Sequence, residues 1–150
     1  MARPRKSRAL FVWMNGERVG EWRVSAQGVQ EFTYGDGWRS APDARPISLS
    51  MPLGPQGTTY RGRLVERFFE NLLPDSKDIR HRIRRRFGAQ SEKAFDLLTQ
   101  TGRDCVGAIQ LTTDDVPPDV RTIKGTPISE KAIAELLIQT LSGSSLGRID

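Results

Sequence analysis

Residues 9–24 read ALFVWMNGERVGEWRV: six apolar residues, the pair Asn15-Gly16, and then the eight-residue run Glu17 to Val24. Asn-Gly supplies the two positive φ angles that a type I′ turn demands, and between apolar runs it is the strongest short-range hairpin signal a sequence carries. Ala9–Met14 and Glu17–Val24 are therefore expected to pair antiparallel. Gly20 interrupts the second strand. A bulge there would let Val19 and Trp22 face the same core despite their odd spacing.

Outward from this hairpin, Gln27-Gly28 signals the next turn, Val29 to Tyr34 reads as a third strand, and Gly35-Asp36-Gly37 breaks the chain before Trp38. Residues 41–46 (APDARP) are loop-like. Ile47, Leu49, Met51 and Leu53 then alternate with Ser48, Ser50 and Pro52, which predicts a half-buried strand that Pro52 pushes to an edge or an end. The period changes at Leu64, where Leu64, Val65, Phe68, Phe69, Leu72 and Leu73 form the apolar stripe of an amphipathic helix stopped by Pro74. Ser76 caps a second helix through Ile79, Ile83 and Phe87, with Gly88 as its C-terminal cap. Ser91 is expected to cap a third, through Ala94, Phe95, Leu97 and Leu98, ended by Gly102. Val106–Thr112 reads as a strand and Pro117-Pro118 as a loop. Ser129 opens a last helix with Ile133, Leu136, Leu137 and Leu141 on one face, closed by Gly143. Strands followed by helices, then a strand and a helix, predict an α+β domain with helices on one face of a largely antiparallel sheet.

The chain has 150 residues, 37% of them hydrophobic and 27% charged. A folded chain of that length buries roughly 68–70% of its unfolded surface, so it can build one core. Its longest apolar run, Ala9–Met14, has six residues, against about 20 for a membrane span, and it is too short for a signal-peptide core. The chain is expected to be cytoplasmic, with no membrane partner. One cysteine, Cys105, and one histidine, His81, exclude an internal disulfide and a structural zinc site. The net charge of +5 is unevenly placed. Arg3, Arg5, Lys6 and Arg8 give the first ten residues +4. Lys77, Arg80, Arg82, Arg84, Arg85 and Arg86, against Asp78, give 77–87 another +5, and the rest sums to −4. Such patches attract phosphates, although a basic run on a wet helix face is ordinarily plain solvation.

No catalytic constellation emerges from these residues. Neither G-x-G-x-x-G nor G-x-x-x-x-G-K-[ST] occurs. His81 lies among arginines with no evident carboxylate to orient it, so it reads as a surface histidine. Cys105 would be activated only beside a cation such as Arg103, and it reads better as packing material. Asp114-Asp115 read as a strand terminator, and Asp75 as a turn residue. Asp96 sits in a helix interior, an unfavoured place that calls for a partner, with Arg103 as the candidate. Trp13 and Trp22 read as core, whereas Trp38, following a glycine-rich loop, reads as an exposed interface anchor. Gly28, Trp38, Asp96 and Arg103 are thus the candidate interface residues. Arg80, Arg82, Arg84, Arg85 and Arg86 are the candidate phosphate contacts. Neither metal nor cofactor is expected.

Four strings bear on family: WMNGERVGEW (13–22), ARPISLSMPL (44–53), FFENLLPDS (68–76) and AFDLLTQTGRDCVGAIQL (94–111). In this order and spacing the chain resembles, across nearly all of 11–141, the N-terminal subdomain of HipA-type serine/threonine kinases, the toxins of bacterial HipA/HipB toxin–antitoxin modules. In that family a larger kinase core supplies the phosphate-binding loop, catalytic aspartate, metal ligands and regulatory serine, and none of these is expected within these residues. The family pattern commonly has serine where Cys105 stands. The resemblance implies a non-catalytic accessory domain that docks on a HipA-type kinase core, in cis or in trans, or on a HipB-like helix-turn-helix antitoxin, with DNA contacted only indirectly. Alternatives are a stand-alone antitoxin-like inhibitor of a separately encoded core, an inert fragment of a toxin, and a DNA-phosphate-binding module through helix 77–87. The expected division is a basic flexible extension (1–8), the subdomain (9–141) and a polar tail (142–150).

Overall fold

The computed structural model describes residues 7–105, 108–120 and 125–141. The chain divides into two compact units, 1–120 and 121–150. In the first, β1 (Arg8–Met14) and β2 (Glu17–Val24) pair antiparallel around Asn15 (φ 53°) and Gly16 (φ 81°), the type I′ geometry the dipeptide predicts. The register shifts between Val12, opposite Gly20, and Trp13, opposite Arg18, which leaves Val19 as the extra residue of a bulge. Val19 and Trp22 are accordingly both buried. A β-carbon on Gly20 would collide with the Thr33 carbonyl oxygen on the neighbouring strand. Glycine is needed there for close approach of backbone, as its place in the strand suggests.

β3 (Gln30–Tyr34) follows a turn closed by the Ser25 N–H donating to the Val29 carbonyl at 2.9 Å, with Gly28 at φ 86°. Two short strands, β4 (Thr59–Arg61) and β5 (Ile109–Thr112), complete an antiparallel five-stranded sheet in the order β4-β3-β2-β1-β5. Helices α2 (Arg63–Glu70) and α4 (Ala94–Thr101) contribute Val65, Phe69, Leu97 and Leu98 to the core beside the sheet residues Leu10, Val12, Trp22 and Phe32. Trp22 is the hub, stacked on Phe69 (centroids 3.8 Å, 5° between planes) and edge-on to Phe95 at 4.9 Å. The α+β class and the single core follow the sequence reading.

Three local expectations are corrected. Residues 47–53 form no strand, because the chain reverses between Ser48 and Met51, which share an isolated antiparallel bridge. The Met51 N–H donates to the Ser48 carbonyl at 2.9 Å, so Met51 turns into the core while Leu49 swings out. The loop satisfies its backbone on one side chain instead of a ladder: the Ile47 N–H donates to the Tyr34 hydroxyl (2.9 Å), which donates to the Met51 carbonyl (2.6 Å). Trp38 is not an exposed anchor. It lies in the short helix α1 (Asp36–Ser40), is 4% exposed, and donates its indole N–H to the Arg45 carbonyl at 3.0 Å. Finally, α4 starts at Ala94 with Lys93 as its N-cap and no side-chain cap; the Ser91 hydroxyl accepts from the Lys93 N–H at 3.2 Å, ahead of the helix, and donates to Asp96.

Helix α3 (Lys77–Phe87) does follow its signals, with the Ser76 hydroxyl accepting from the Ile79 N–H at 3.5 Å and Gly88 left-handed at φ 66°. In the second unit, α5 (Glu130–Leu141) is capped by Ser129, whose hydroxyl accepts from the Ala132 N–H at 3.3 Å. Ile133, Leu137 and Ile138 on it are exposed. Val106, Gly107 and Gly143 fall outside the described residues.

Candidate docking surface

Helix α2 is the ridge between two hollows, and its two charged flanks line one each. On one flank Glu66 and Glu70 line a cavity of about 550 Å³ that reaches Gly28 on the β2–β3 turn and Asp96 on α4. Two residues singled out in the sequence are thus brought together. Asp96 is 8% exposed and does have a partner, but not Arg103: its carboxylate accepts from the Arg8 guanidinium and the Ser91 hydroxyl. A carboxylate in a buried helix turn is stable only with such partners. Arg8 opens β1 and lies 4.6 Å over the Phe95 ring, so this member of the basic N-terminal cluster is part of the fold. Arg103 stands apart on the surface, 3.8 Å from Asp114.

The arginines of α3 are not one uniform face. Arg80 is largely buried, with its guanidinium on the Glu70 carboxylate and its Nε donating to the Pro74 carbonyl at 2.6 Å. Its chemistry is spent on the junction of α2 and α3, which corrects its reading as a phosphate contact. Arg84 lies 4.0 Å from Glu92, and the same carboxylate is 2.9 Å from His81 Nδ1, so the histidine does have an acid beside it. Arg86 lies over the Phe87 ring at 5.8 Å. Arg82 and Arg85 are exposed, with no carboxylate within ion-pair distance among the described residues. Cys105 points its thiol at the Ile109 carbonyl (3.3 Å), and burial pushes its pKa up, the opposite of an activated nucleophile.

The other flank of α2 carries a hollow that the sequence reading missed. It measures about 430 Å³ and lies between Arg63, Leu64, Arg67, Phe68 and Asn71 on one side and Ser48 and Ser50 on the other. Arg63, Arg67 and Asn71 recur at one-turn spacing, and Leu64 and Phe68 form the next row. Leu49, between the two serines, is 95% exposed although its turn is held by the Ser50 N–H donating to Ser48 Oγ at 3.2 Å. Leu64 is 38% exposed. The signal was present in the width of the α2 pattern: Val65, Phe69 and Leu73 are buried, Phe68 is half-buried against the core and edge-on to Phe69, and Leu64 is left exposed beside it. Alternation over 47–53 hid Leu49, because a strand would have buried it.

The model of the HipA N-terminal domain family matches residues 10–112, from the first core leucine of β1 to the end of β5. The chain belongs to that family. Among individual proteins, it is 29% identical over 134 residues to the putative kinase Y4mE of Sinorhizobium fredii, which covers 87% of this chain and 31% of that protein. It shares its fold with a chain of the Shewanella oneidensis MR-1 toxin–antitoxin complex of HipA, HipB and operator DNA, at a TM-score of 0.61 and 22% identity, over 86% of this chain and 29% of the other. The chain therefore spans less than a third of either relative.

Proposed function

We propose that the chain is a non-catalytic docking domain of a HipA-type kinase toxin–antitoxin system, seated in the cytoplasm on a kinase core that is carried either in cis in a longer protein or in trans. A HipB-like antitoxin is the second partner of such an assembly. Family membership and a toxin–antitoxin relative of the same fold support the setting. The observation that carries docking is Leu49, a leucine 95% exposed on a turn whose neighbours Ile47, Met51 and Leu53 all pack on the core. Leu49 stands between Ser48 and Ser50, which line the same hollow as Leu64 and Phe68, and exposed apolar side chains grouped in this way mark partner sites.

Calorimetric titration of the chain into a HipA-type kinase core lacking its own N-terminal domain tests this reading. Saturable binding that Leu49→Asp abolishes is expected, and no heat at tens of micromolar contradicts it. Direct DNA binding through Arg82, Arg85 and Arg86 is the competing outcome. It would show tight duplex binding by the chain alone, weakening with salt at a log–log slope of about −0.9 per phosphate neutralised.

A further inference from the structure

We infer that the hollow between α2 and the 48–51 turn receives an acidic amphipathic segment of the docking partner, with its carboxylates on Arg63 and Arg67 and its apolar side chains on Leu49, Leu64 and Phe68. The inference rests on the docking reading above and names the chemistry of the segment that docks.

Charge complementarity carries the argument. Every polar side chain lining the hollow is cationic or neutral: two guanidiniums, two serine hydroxyls and one carboxamide, without an acid among them. Several exposed arginines elsewhere do have carboxylate partners: Arg18 has Asp115 at 2.7 Å, Arg23 has Glu21 at 2.6 Å and Arg61 has Glu31 at 3.0 Å, whereas Arg82 and Arg85 on α3 have none among the described residues. Arg63 and Arg67 have no carboxylate within 4 Å among the described residues, although Glu66 and Glu70 lie three positions along the same helix. Glu70 is taken by Arg80, and both glutamates line the opposite hollow. Arg63 and Arg67 stand one turn apart, their Cβ atoms at about the 5–6 Å spacing of i,i+4 neighbours, and each carries a planar donor fork; a helical segment repeats its own side chains at the same spacing.

The apolar row decides between partners. A nucleic-acid backbone would be met by charge alone and gains nothing from the exposed Leu49 and Leu64. A segment with acids on one row and apolar residues on the next matches both rows at once. That pattern is helix-in-groove recognition with ionic edges, in which apolar anchors give affinity and charges set register and exclude wrong partners.

The test compares the chain, its Arg63→Glu/Arg67→Glu variant and an Arg82→Glu/Arg85→Glu control in titrations against the kinase core at two salt concentrations. All four arginines are exposed, so thermal unfolding should be unchanged in both variants; if the glutamates disturb folding, Arg63→Gln/Arg67→Gln replaces them. Reversal on α2 should weaken binding at least tenfold and flatten its salt dependence, whereas reversal on α3 should change it less than threefold. The Arg63→Lys/Arg67→Lys variant should retain binding and, treated with a carbodiimide, form an amide cross-link to an aspartate or glutamate flanked by apolar residues. Unchanged affinity after reversal on α2, with binding still lost in Leu49→Asp, overturns the inference and leaves docking standing. Binding by the lysine variant without any such cross-link also overturns it. Failure of the unmodified chain to bind the core sinks the docking reading and the inference together.

Discussion

Gly20 shows how one missing side chain sets a register. With no β-carbon it lets β3 close on β2, and the bulge beside it turns Val19 and Trp22 to the same side. Gly20→Ala should therefore lower stability by about 1–3 kcal/mol, the usual cost of forcing atoms into a packed site, as read from urea unfolding. Tyr34 works in the opposite way, by what its hydroxyl adds. Its oxygen accepts from Ile47 and donates to Met51, and burial pushes its pKa up to about 12 from the usual 10. Between those values the unfolded chain has released the phenolic proton and the folded chain still holds it. Protons are then bound more tightly by the folded state, so stability is full below pH 10 and falls as pH rises toward 12. Tyr34→Phe should cost about 1–3 kcal/mol at neutral pH by stranding the Ile47 N–H, and should remove that alkaline decline from a pH series of thermal melts. The role of Gly20 was legible in its interruption of a strand pattern. The role of Tyr34 was not, because its partners lie 13 and 17 residues away across a loop with no periodicity.

At the level of elements, local signals held wherever one residue type has one geometric meaning. Asn15-Gly16, Ser76, Gly88 and Ser129 all sit where the sequence places them. Alternation failed over 47–53 because a tight turn between Ser48 and Met51 produces the same apolar spacing as a strand while pointing Leu49 the other way. Capping was misplaced at Ser91 because the helix starts only at Ala94: the Ser91 hydroxyl accepts from the Lys93 N–H at 3.2 Å ahead of the helix and donates to Asp96, the third residue of α4. Trp38 was misplaced for a related reason: a glycine-rich entry does not reveal that a carbonyl at Arg45 awaits its indole. Helix α3 offers a direct check on how its arginines divide. Arg80→Ala removes charged hydrogen bonds that tie α3 to α2 and should cost about 1–2 kcal/mol. Arg82→Ala, on the exposed side, should stay within about 0.5 kcal/mol in the same denaturation experiment.

For the whole molecule, the sheet, the aromatic hub and the two-faced ridge of α2 belong to the first unit, and the family match lies within that unit. In the second, α5 carries its own exposed apolar residues, Ile133, Leu137 and Ile138. No helix among the described residues is long and apolar enough to cross a membrane. The α+β class was legible from the order of strand and helix patterns along the chain, and the family from the strings at 13–22, 44–53, 68–76 and 94–111, because both depend on local pattern and its order. The two hollows beside α2 were not legible in the same way. Asp96 and Gly28 do share a groove, but the hollow at Arg63 and Arg67 exists only after the 48–51 turn folds against α2. Docking is tested most directly by the light-scattering mass of the chain mixed with a HipA-type kinase core and separated by size. A single species with the summed mass of one chain and one core is expected for the native chain, and separate peaks for Leu49→Asp. Separate peaks for the native chain at micromolar concentration would contradict it.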